Sequence, residues 1–525
     1  MLNSSVLGAT GITPQGAEAV ETLLSAGLQI PDPQGVIHPI LAEDVPTTDN
    51  GGWVLLPDGR MQITWKIRPN AEWHDGTPFT ANDLKFTYTL TQDRELTAWR
   101  TGQAQTYDPI ESIEIPDPKT IVTYWKRPYI YANLAFGFSS ARPLFPVPQH
   151  ILEKTYLTDK SALLDLPFWS TEFVGAGPYK LKEFQIGSKV IVTANDRFVL
   201  GRPKIDEIEV RFIPDPATMV ANFLAGEVNL NMGVSMSPEQ ARQILERVPG
   251  SKMDLAPTGV LTAFPQFFNA DPPQMTNLSF RRALLHALDR QEMADALMFG
   301  LSTVGHTFIN PVESDYKDIE ASITRYDYDA RRSAQLLEGM GLAKGSDGMY
   351  REASGQLLTP VEIRTEGSGG DLRQKAALSL ADYWKRVGVP AAVSVTPQQR
   401  DGDQEYLANY PGVEITRRGN FRWSLGRVFF SNESPMAENR WAGGNRGRYQ
   451  NADLDRLIER HDVAIPLTER TRLLGEIIRT VTDDVVLMGL FYDLDPTVST
   501  GNLMNVTGKY ERSTQAWNAY QWDLR

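Results

Sequence analysis

The sequence predicts an α/β protein built from more than one domain, and three observations carry that prediction. A chain of 525 residues is longer than one hydrophobic core usually organises, so two or three domains are expected. The stretch "MQITWKIR" at 61–68 alternates strictly, with Met61, Ile63, Trp65 and Ile67 on one face and Gln62, Thr64, Lys66 and Arg68 on the other. That period marks a half-buried antiparallel strand. Further on, "IDEIEVRFIPDPATMVANFLAGEVNL" moves from strand spacing to helical spacing and back, reading strand, helix, strand.

The other elements follow in chain order. In "WHDGTPFTANDL" (73–84), Asp75-Gly76 makes a turn, Pro78 stiffens the exit, and Thr80 is placed as N-cap with Asp83 in the first turn of a helix reading "ANDLKFTYTL". "GAGPYK" at 175–180 begins like a dinucleotide fingerprint. Pro178 and Tyr179 stand where a helix should open, however, and the last glycine is missing, so it reads as a bend that glycine permits. Ile208, Val210 and Phe212 alternate, and Val220, Phe223 and Leu224 recur at helical spacing. Gly226 stops that helix, and Val228 and Leu230 are expected to open a strand. "LSFRRALLHALDRQEMADALM" reads as one long amphipathic helix using Phe280, Leu284, Ala287 and Leu288. "DLRQKAALSLADYWKRVGV" is another, closed by Gly388 and delivering the strand "AAVSV", and "NADLDRLIERHDVA" and "ERTRLLGEIIRTVTDD" form a final helical pair around Pro466.

Composition excludes several functions. A net charge of −13 argues against nucleic acid as a partner, which needs a basic face to neutralise phosphates. The absence of cysteine removes disulfides, thiolate catalysis, Cys-ligated zinc and a lipoprotein-anchoring cysteine within these 525 residues. The longest apolar runs, such as "VVLMGLF" at 485–491, are too short to span a bilayer. "MLNSSVLGATGITPQ" at the start has no basic segment followed by an apolar one, so no secretion signal is visible. His38, His74, His150, His286, His306 and His461 never fall at helical ligand spacing, and each reads as a hydrogen-bonding residue rather than a metal ligand. Neither a nucleophile elbow nor a phosphate-binding loop occurs. No metal, cofactor or catalytic residue is expected.

One cluster stands out. Arg417, Arg418, Arg422, Arg427, Arg440, Arg446 and Arg448 lie close together in an acidic protein, in a stretch free of lysine from 386 to 508. Arginine supplies planar, bidentate donors suited to carboxylates. Two readings stay open: structural pairing with Glu433, Glu438, Asp453 and Asp455, or a ligand surface with Trp423 as a pocket wall.

"ITWKIRPNAEWHDGTPFTANDLKFTYTL" resembles the most recognisable segment of the family-5 extracytoplasmic solute-binding proteins of ABC importers, which serve oligopeptides, dipeptides and nickel. Other segments fall in the family's order: "AVETLLSAGLQIPDPQGVIHPILAED", "VGAGPYKLKEF", "IPDPATMVANFLAGEVNL", "FRRALLHALDRQEM" and "YQNADLDRLIERH". The resemblance runs from about Ala19 to the C-terminus. It implies an α/β, two-lobed periplasmic-binding-protein-like fold of type II with an extra inserted subdomain. Lobe I would be 1–52, 165–262 and 492–525, with 53–164 inserted, and lobe II would be 263–491, with crossovers near "TGVLTAF" and "FYDLDP". His74 and Asp75 would then be scaffold. Such proteins usually begin with a strand and an "LDP"-like motif, and this chain starts just after or within that stretch.

The resemblance also implies a function: a non-enzymatic, extracytoplasmic subunit that captures an oligopeptide or peptide-like solute between its lobes. It would deliver that solute to permease subunits and act as a monomer. Ser25, Ala26, Gly27 and Leu28 would present backbone to the ligand. Thr416, Arg417, Arg418 and Trp423 would line lobe II, and Arg364 or Arg373 would clamp a carboxylate. Peptide-binding members grip the ligand's amino group with an acid where this chain has Arg417 and Arg418. A non-peptide solute, such as an oligosaccharide or an anionic opine-like compound, is therefore the alternative, beside a cytoplasmic peptide-binding or chaperone-like protein of the same fold.

Overall fold

The computed structural model describes residues 16–96, 107–139, 142–233, 236–366, 370–400, 402–418, 424–510 and 513–525. It divides into two compact units, Met1–Ala256 with Asp495–Arg525 (unit 1) and Pro257–Leu494 (unit 2).

Unit 1 starts with helix α1 (Ala17–Leu24), which buries Ala19, Val20, Leu23 and Leu24. A short hairpin of β1 (Gln29–Pro31) and β2 (Ile37–Pro39) follows. β3 (Trp53–Leu55), β4 (Met61–Lys66), β5 (Ile110–Asp117) and β6 (Thr120–Trp125) make an antiparallel sheet in the order β3-β4-β6-β5. β4 is the alternating stretch of the sequence, and Met61, Ile63 and Trp65 are its buried side chains. Packed with this sheet is α2 (Ala81–Gln92). Its cap works through Asp83, whose carboxylate accepts the Thr80 N–H at 2.8 Å and the Gln149 N–H at 3.0 Å. A second antiparallel sheet has the order β9-β8-β7, from β7 (Tyr179–Gln185), β8 (Lys189–Ala194) and β9 (Glu207–Arg211). α1 packs against it, with Leu23 and Leu24 in one core with Tyr179, Val190, Val192 and the C-terminal Ala516, Ala519 and Trp522. α3 (Pro216–Leu224) comes next, capped by Asp215. Beyond it the expected strand at Val228 and Leu230 does not form. Leu230 makes an isolated antiparallel bridge to Ser499, flanked by bonds from the Asn231 N–H to Val498 and from the Thr500 N–H to Asn229.

Unit 2 is organised on a mixed sheet. β10 (Lys252–Pro265) enters it from unit 1, and β11 (Val361–Glu366), β12 (Ala391–Thr396), β13 (Val413–Arg418) and β14 (Met488–Ser499) complete the order β12-β11-β13-β10-β14. β11 runs parallel to both β12 and β13. Parallel neighbours need a long crossover, which α6 (Gly370–Val387) provides between β11 and β12 before Gly388 turns the chain at φ +98°. The single helix expected over 278–298 is instead two, α4 (Leu278–His286) and α5 (Arg290–Leu297). The break has a local cause: the Asp289 carboxylate accepts the Glu292 N–H at 2.9 Å and so restarts the helix as an N-cap. Buried Arg290 holds the new start by donating to the carbonyls of Gly489 (2.7 Å) and Tyr326 (2.5 Å). The final helical pair is α7 (Ala452–Val463) and α8 (Leu467–Asp483), and Leu474, Ile477, Ile478 and Val481 of α8 join Val260, Phe264 and Tyr492 in the core.

Candidate functional site

In unit 1 the residues after α1 form part of a pocket. The Ser25 N–H closes α1 by donating to Glu21 at 2.7 Å. Gly27 then passes so close to a neighbouring loop that a Cβ would stand 2.4 Å from the Phe136 carbonyl oxygen. The Leu28 N–H donates to that same carbonyl at 2.8 Å, while the Leu28 and Gly27 carbonyls accept from Ile40 (2.9 Å) and Leu41 (3.1 Å). Leu28 thus spends its backbone, and its fully buried side chain, inside the unit. The Ser25 carbonyl and both peptide groups of Ala26 take no partner among the described residues. Ser25, Ala26 and Gly27 line a small pocket of about 20 Å³, walled by Pro178, Phe145, Phe198, Trp517 and Tyr520. Those four aromatics were invisible as a group in the sequence, because they come from distant segments with no shared motif.

His74 supports this pocket indirectly. Its ring is buried, with Nε2 donating to the Gly177 carbonyl (3.0 Å) and Nδ1 accepting the Gly175 N–H (3.2 Å). The Lys180 ammonium caps the His74 carbonyl at 2.9 Å. Burial, with help from the Lys180 charge, depresses the imidazole pKa to about 4, against the opposing bond to Gly177. The loop it holds lies against the end of α1: the Gly177 N–H donates to Leu24 at 3.0 Å, and a Cβ on Gly175 would stand 1.9 Å from the Leu24 carbonyl oxygen. Here the bend read from "GAGPYK" has its physical reason.

In unit 2, Thr416 and Arg417 lie on β13, opposite Thr262 and Leu261 of β10. Thr416 is buried. Arg417 keeps 31% of its side chain exposed and pairs with the Asp493 carboxylate at 3.2 Å. Its guanidinium also reaches the Thr258 hydroxyl at 3.4 Å. Arg418 ends the same strand. Trp423 and Arg422 lie outside the described residues. Arg364, nearly buried, pairs with Glu362 at 2.7 Å, donates to the Tyr406 carbonyl at 2.9 Å and lies over the Tyr406 ring. Arg373 pairs with Glu366. Among the described residues, the carboxylates seen to meet the arginine cluster are distant in sequence. Arg446 pairs with buried Glu414 at 2.6 Å, and Arg448 donates to the Ala408 carbonyl and the Asn409 side chain. Asp493, the partner of Arg417, is the residue that sequence reasoning passed over, although it sits in "FYDLDP".

Among the described residues, no group of three or more His, Asp or Glu side chains converges as a metal site, and no helix is long and apolar enough to cross a membrane.

The model of the bacterial extracellular solute-binding proteins, family 5, matches residues 37–449. The chain belongs to that family. Its α/β architecture is the two-lobed, periplasmic-binding-protein-like fold of its structural neighbours. A putative ABC transporter peptide-binding protein of Brucella ovis is 28% identical over 305 residues, which is 55% of this chain and 51% of that protein. The chain thus spans about half the length of the first curated relatives it matches. The oligopeptide-binding protein AppA of Bacillus subtilis is 23% identical over 89% of this chain and 81% of its own. Its structure in complex with a nonapeptide superposes with a TM-score of 0.70, covering 98% and 95% of the two chains at 21% identity. NikZ from Campylobacter jejuni, in complex with Ni(L-His), gives 0.73 at 21% identity, covering 97% of this chain and 96% of that one. AgaA from A. tumefaciens R10, in complex with agropinic acid, gives 0.68 at 17% identity, covering 99% and 96%.

Proposed function

We propose that this family-5 protein is the substrate-binding subunit of an ABC importer, acting outside the cytoplasm as a non-enzymatic monomer. It captures an oligopeptide or peptide-like solute between its lobes and presents it to the permease subunits. The observation that carries this reading is the family match over residues 37–449, and the peptide-binding relatives support it. Ser25 and Ala26, with backbone groups unpaired among the described residues, give an extended ligand something to bond in strand-addition fashion.

A second reading concerns the ligand's charge. Arg417 is partly exposed beside Asp493, and Arg418 follows it where peptide-binding members carry an acid. Guanidinium groups disfavour an ammonium and favour a carboxylate, through charge-assisted bonds of roughly 1.5–3 kcal/mol each. The solute therefore carries an anionic group facing lobe II, as an acidic peptide or an opine-like compound would. Mass spectrometry of solute released from natively purified protein identifies it, and calorimetric titration of that solute into Arg417→Ala is expected to show about a tenfold weaker Kd, or 1.4 kcal/mol. Tight binding of a neutral dipeptide with a free amino group, undiminished in Arg417→Ala, sinks the anionic reading. An empty protein that binds no peptide or opine-like solute sinks the wider one.

A further inference from the structure

The pocket beside Ser25 contains a buried acceptor that the packing of unit 1 does not use. Gln29, on β1, is fully buried and lines that pocket. Its Nε2 donates to the carbonyls of Leu134 (3.0 Å) and Phe138 (3.2 Å), which spends both amide hydrogens and fixes which end of the amide is the oxygen. A Cβ on Gly137 would stand 2.7 Å from that nitrogen, so the amide is pressed against backbone and is not free to turn. Neither Leu134 nor Phe138 lines the pocket. Oε1, at the other end of the amide, is buried and has no hydrogen-bond partner among the described residues. An acceptor taken from water and left unpaired is costly, so a donor supplied from the pocket side gains strongly.

The surroundings restrict what that donor can be. The carbonyls of Ser25 and Ala26 are also without partners among the described residues, which places three acceptors around one pocket. Ser25 is the C-cap of α1, and the C-terminal end of a helix carries partial negative charge that favours a cation. Phe145, Phe198, Trp517 and Tyr520 supply aromatic wall, and aromatic faces attract ammonium groups through their quadrupole. Among the described residues, no lysine, arginine or histidine lines the pocket. Size adds a limit: about 20 Å³ admits one water-sized group, which a primary ammonium matches and a trimethylammonium exceeds. A methyl group of the same size would leave Oε1 unpaired.

We propose that this pocket binds a primary ammonium group, whose N–H bonds are directed to Gln29 Oε1 and to the Ser25 and Ala26 carbonyls. Resting on the importer reading above, the occupant is the solute's own amino group, read by unit 1 rather than by an acid on β13. Taken with the anionic group proposed for Arg417, the solute is zwitterionic.

The probe is methylammonium, followed by saturation-transfer NMR on the full chain in high salt, which screens the surface carboxylates. Methanol and tetramethylammonium are the controls for charge and for size. Transfer to methylammonium is expected to exceed transfer to either control, and to fall by about tenfold in Gln29→Met and in Tyr520→Leu. Gln29→Met also gives up the bonds to Leu134 and Phe138, so each variant is checked by its melting transition, and if one fails to fold the other decides. No transfer to methylammonium in the unaltered chain overturns the proposal. So does equal transfer to methanol, because charge is then not read, or to tetramethylammonium, because the contact is then outside a pocket of this size. Transfer that persists in the folded variants overturns it as well, since the cation then binds elsewhere on an acidic chain. The importer reading fails separately: a chain that takes methylammonium in this pocket yet captures no peptide or opine-like solute keeps the ammonium site and loses that reading. A solute released from natively purified protein that lacks a primary amino group overturns its assignment to the pocket.

Discussion

His74→Gln is the perturbation whose consequence the structure specifies most closely. The imidazole is buried, neutral, and bonded through both nitrogens, and its pKa is depressed from 6.5 to about 4. In the unfolded chain it titrates near 6.5, so between those values the unfolded state binds the extra proton and acid favours unfolding. The stability attached to neutral His74 is complete above pH 6.5 and is lost progressively as pH falls toward 4. At pH 4.5 the loss is about 2.5 kcal/mol, from roughly 1.4 kcal/mol per pKa unit and the fraction protonated in each state. Glutamine cannot titrate, so that increment disappears in the variant. At pH 7 His74→Gln should be the less stable protein, having lost shape complementarity and part of the bonding to Gly175 and Gly177. At pH 4.5 the gap should shrink by about 2.5 kcal/mol or reverse. Guanidinium unfolding of both proteins at the two pH values, followed by amide exchange over residues 170–180, reads the difference, and the carboxylates common to both cancel. An unchanged gap between pH 7 and 4.5 would refute the burial argument for this residue.

Three further outcomes follow from packing and charge. Arg446→Met strips buried Glu414 of its 2.6 Å cationic partner, which should cost about 3–5 kcal/mol, while adding Glu414→Gln should restore part of the lost melting temperature. Gly175→Ala forces a Cβ to within 1.9 Å of the Leu24 carbonyl oxygen and should destabilise by at least about 1–3 kcal/mol. Gly339→Ala, in a helix with open space around the new methyl, should instead gain about 0.5–1 kcal/mol. Melting curves of the two glycine variants side by side check both signs.

What could be read from the sequence was whatever is encoded locally. β4 shows its period in eight letters, and α6 announces its end with Gly388. The bend at Gly175 and Gly177 is flagged by Pro178, which cannot continue a fingerprint helix. Failures occurred where a distant segment decides. The apolar spacing of 278–298 is continuous, yet Asp289 restarts the helix there and Arg290 is held by carbonyls of residues 326 and 489. Val228 and Leu230 have strand spacing, but among the described residues the segment makes a single bridge, Leu230 to Ser499. The pocket beside Ser25 has the same character. Its backbone contribution follows from the family pattern, while Phe145, Phe198, Trp517 and Tyr520 are brought together only by the fold.

The arginine cluster shows why residue type alone does not separate a scaffold from a ligand surface. A guanidinium removed from water must be satisfied, so an acidic protein that buries arginine will also bury carboxylates or carbonyls beside it. Arg446 with Glu414 and Arg448 with the Ala408 carbonyl meet that demand inside unit 2. Arg417 meets it with Asp493 but stays 31% exposed, against 17% for Arg446. Exposure of an already paired charge is what distinguishes them. The pair at Arg446 has little water to lose, and its energy goes into holding the unit together. On the anionic reading proposed above, a carboxylate arriving at Arg417 would have to displace water and compete with Asp493. The two substitutions should therefore separate cleanly, Arg446→Met in the melting temperature and Arg417→Ala in solute affinity.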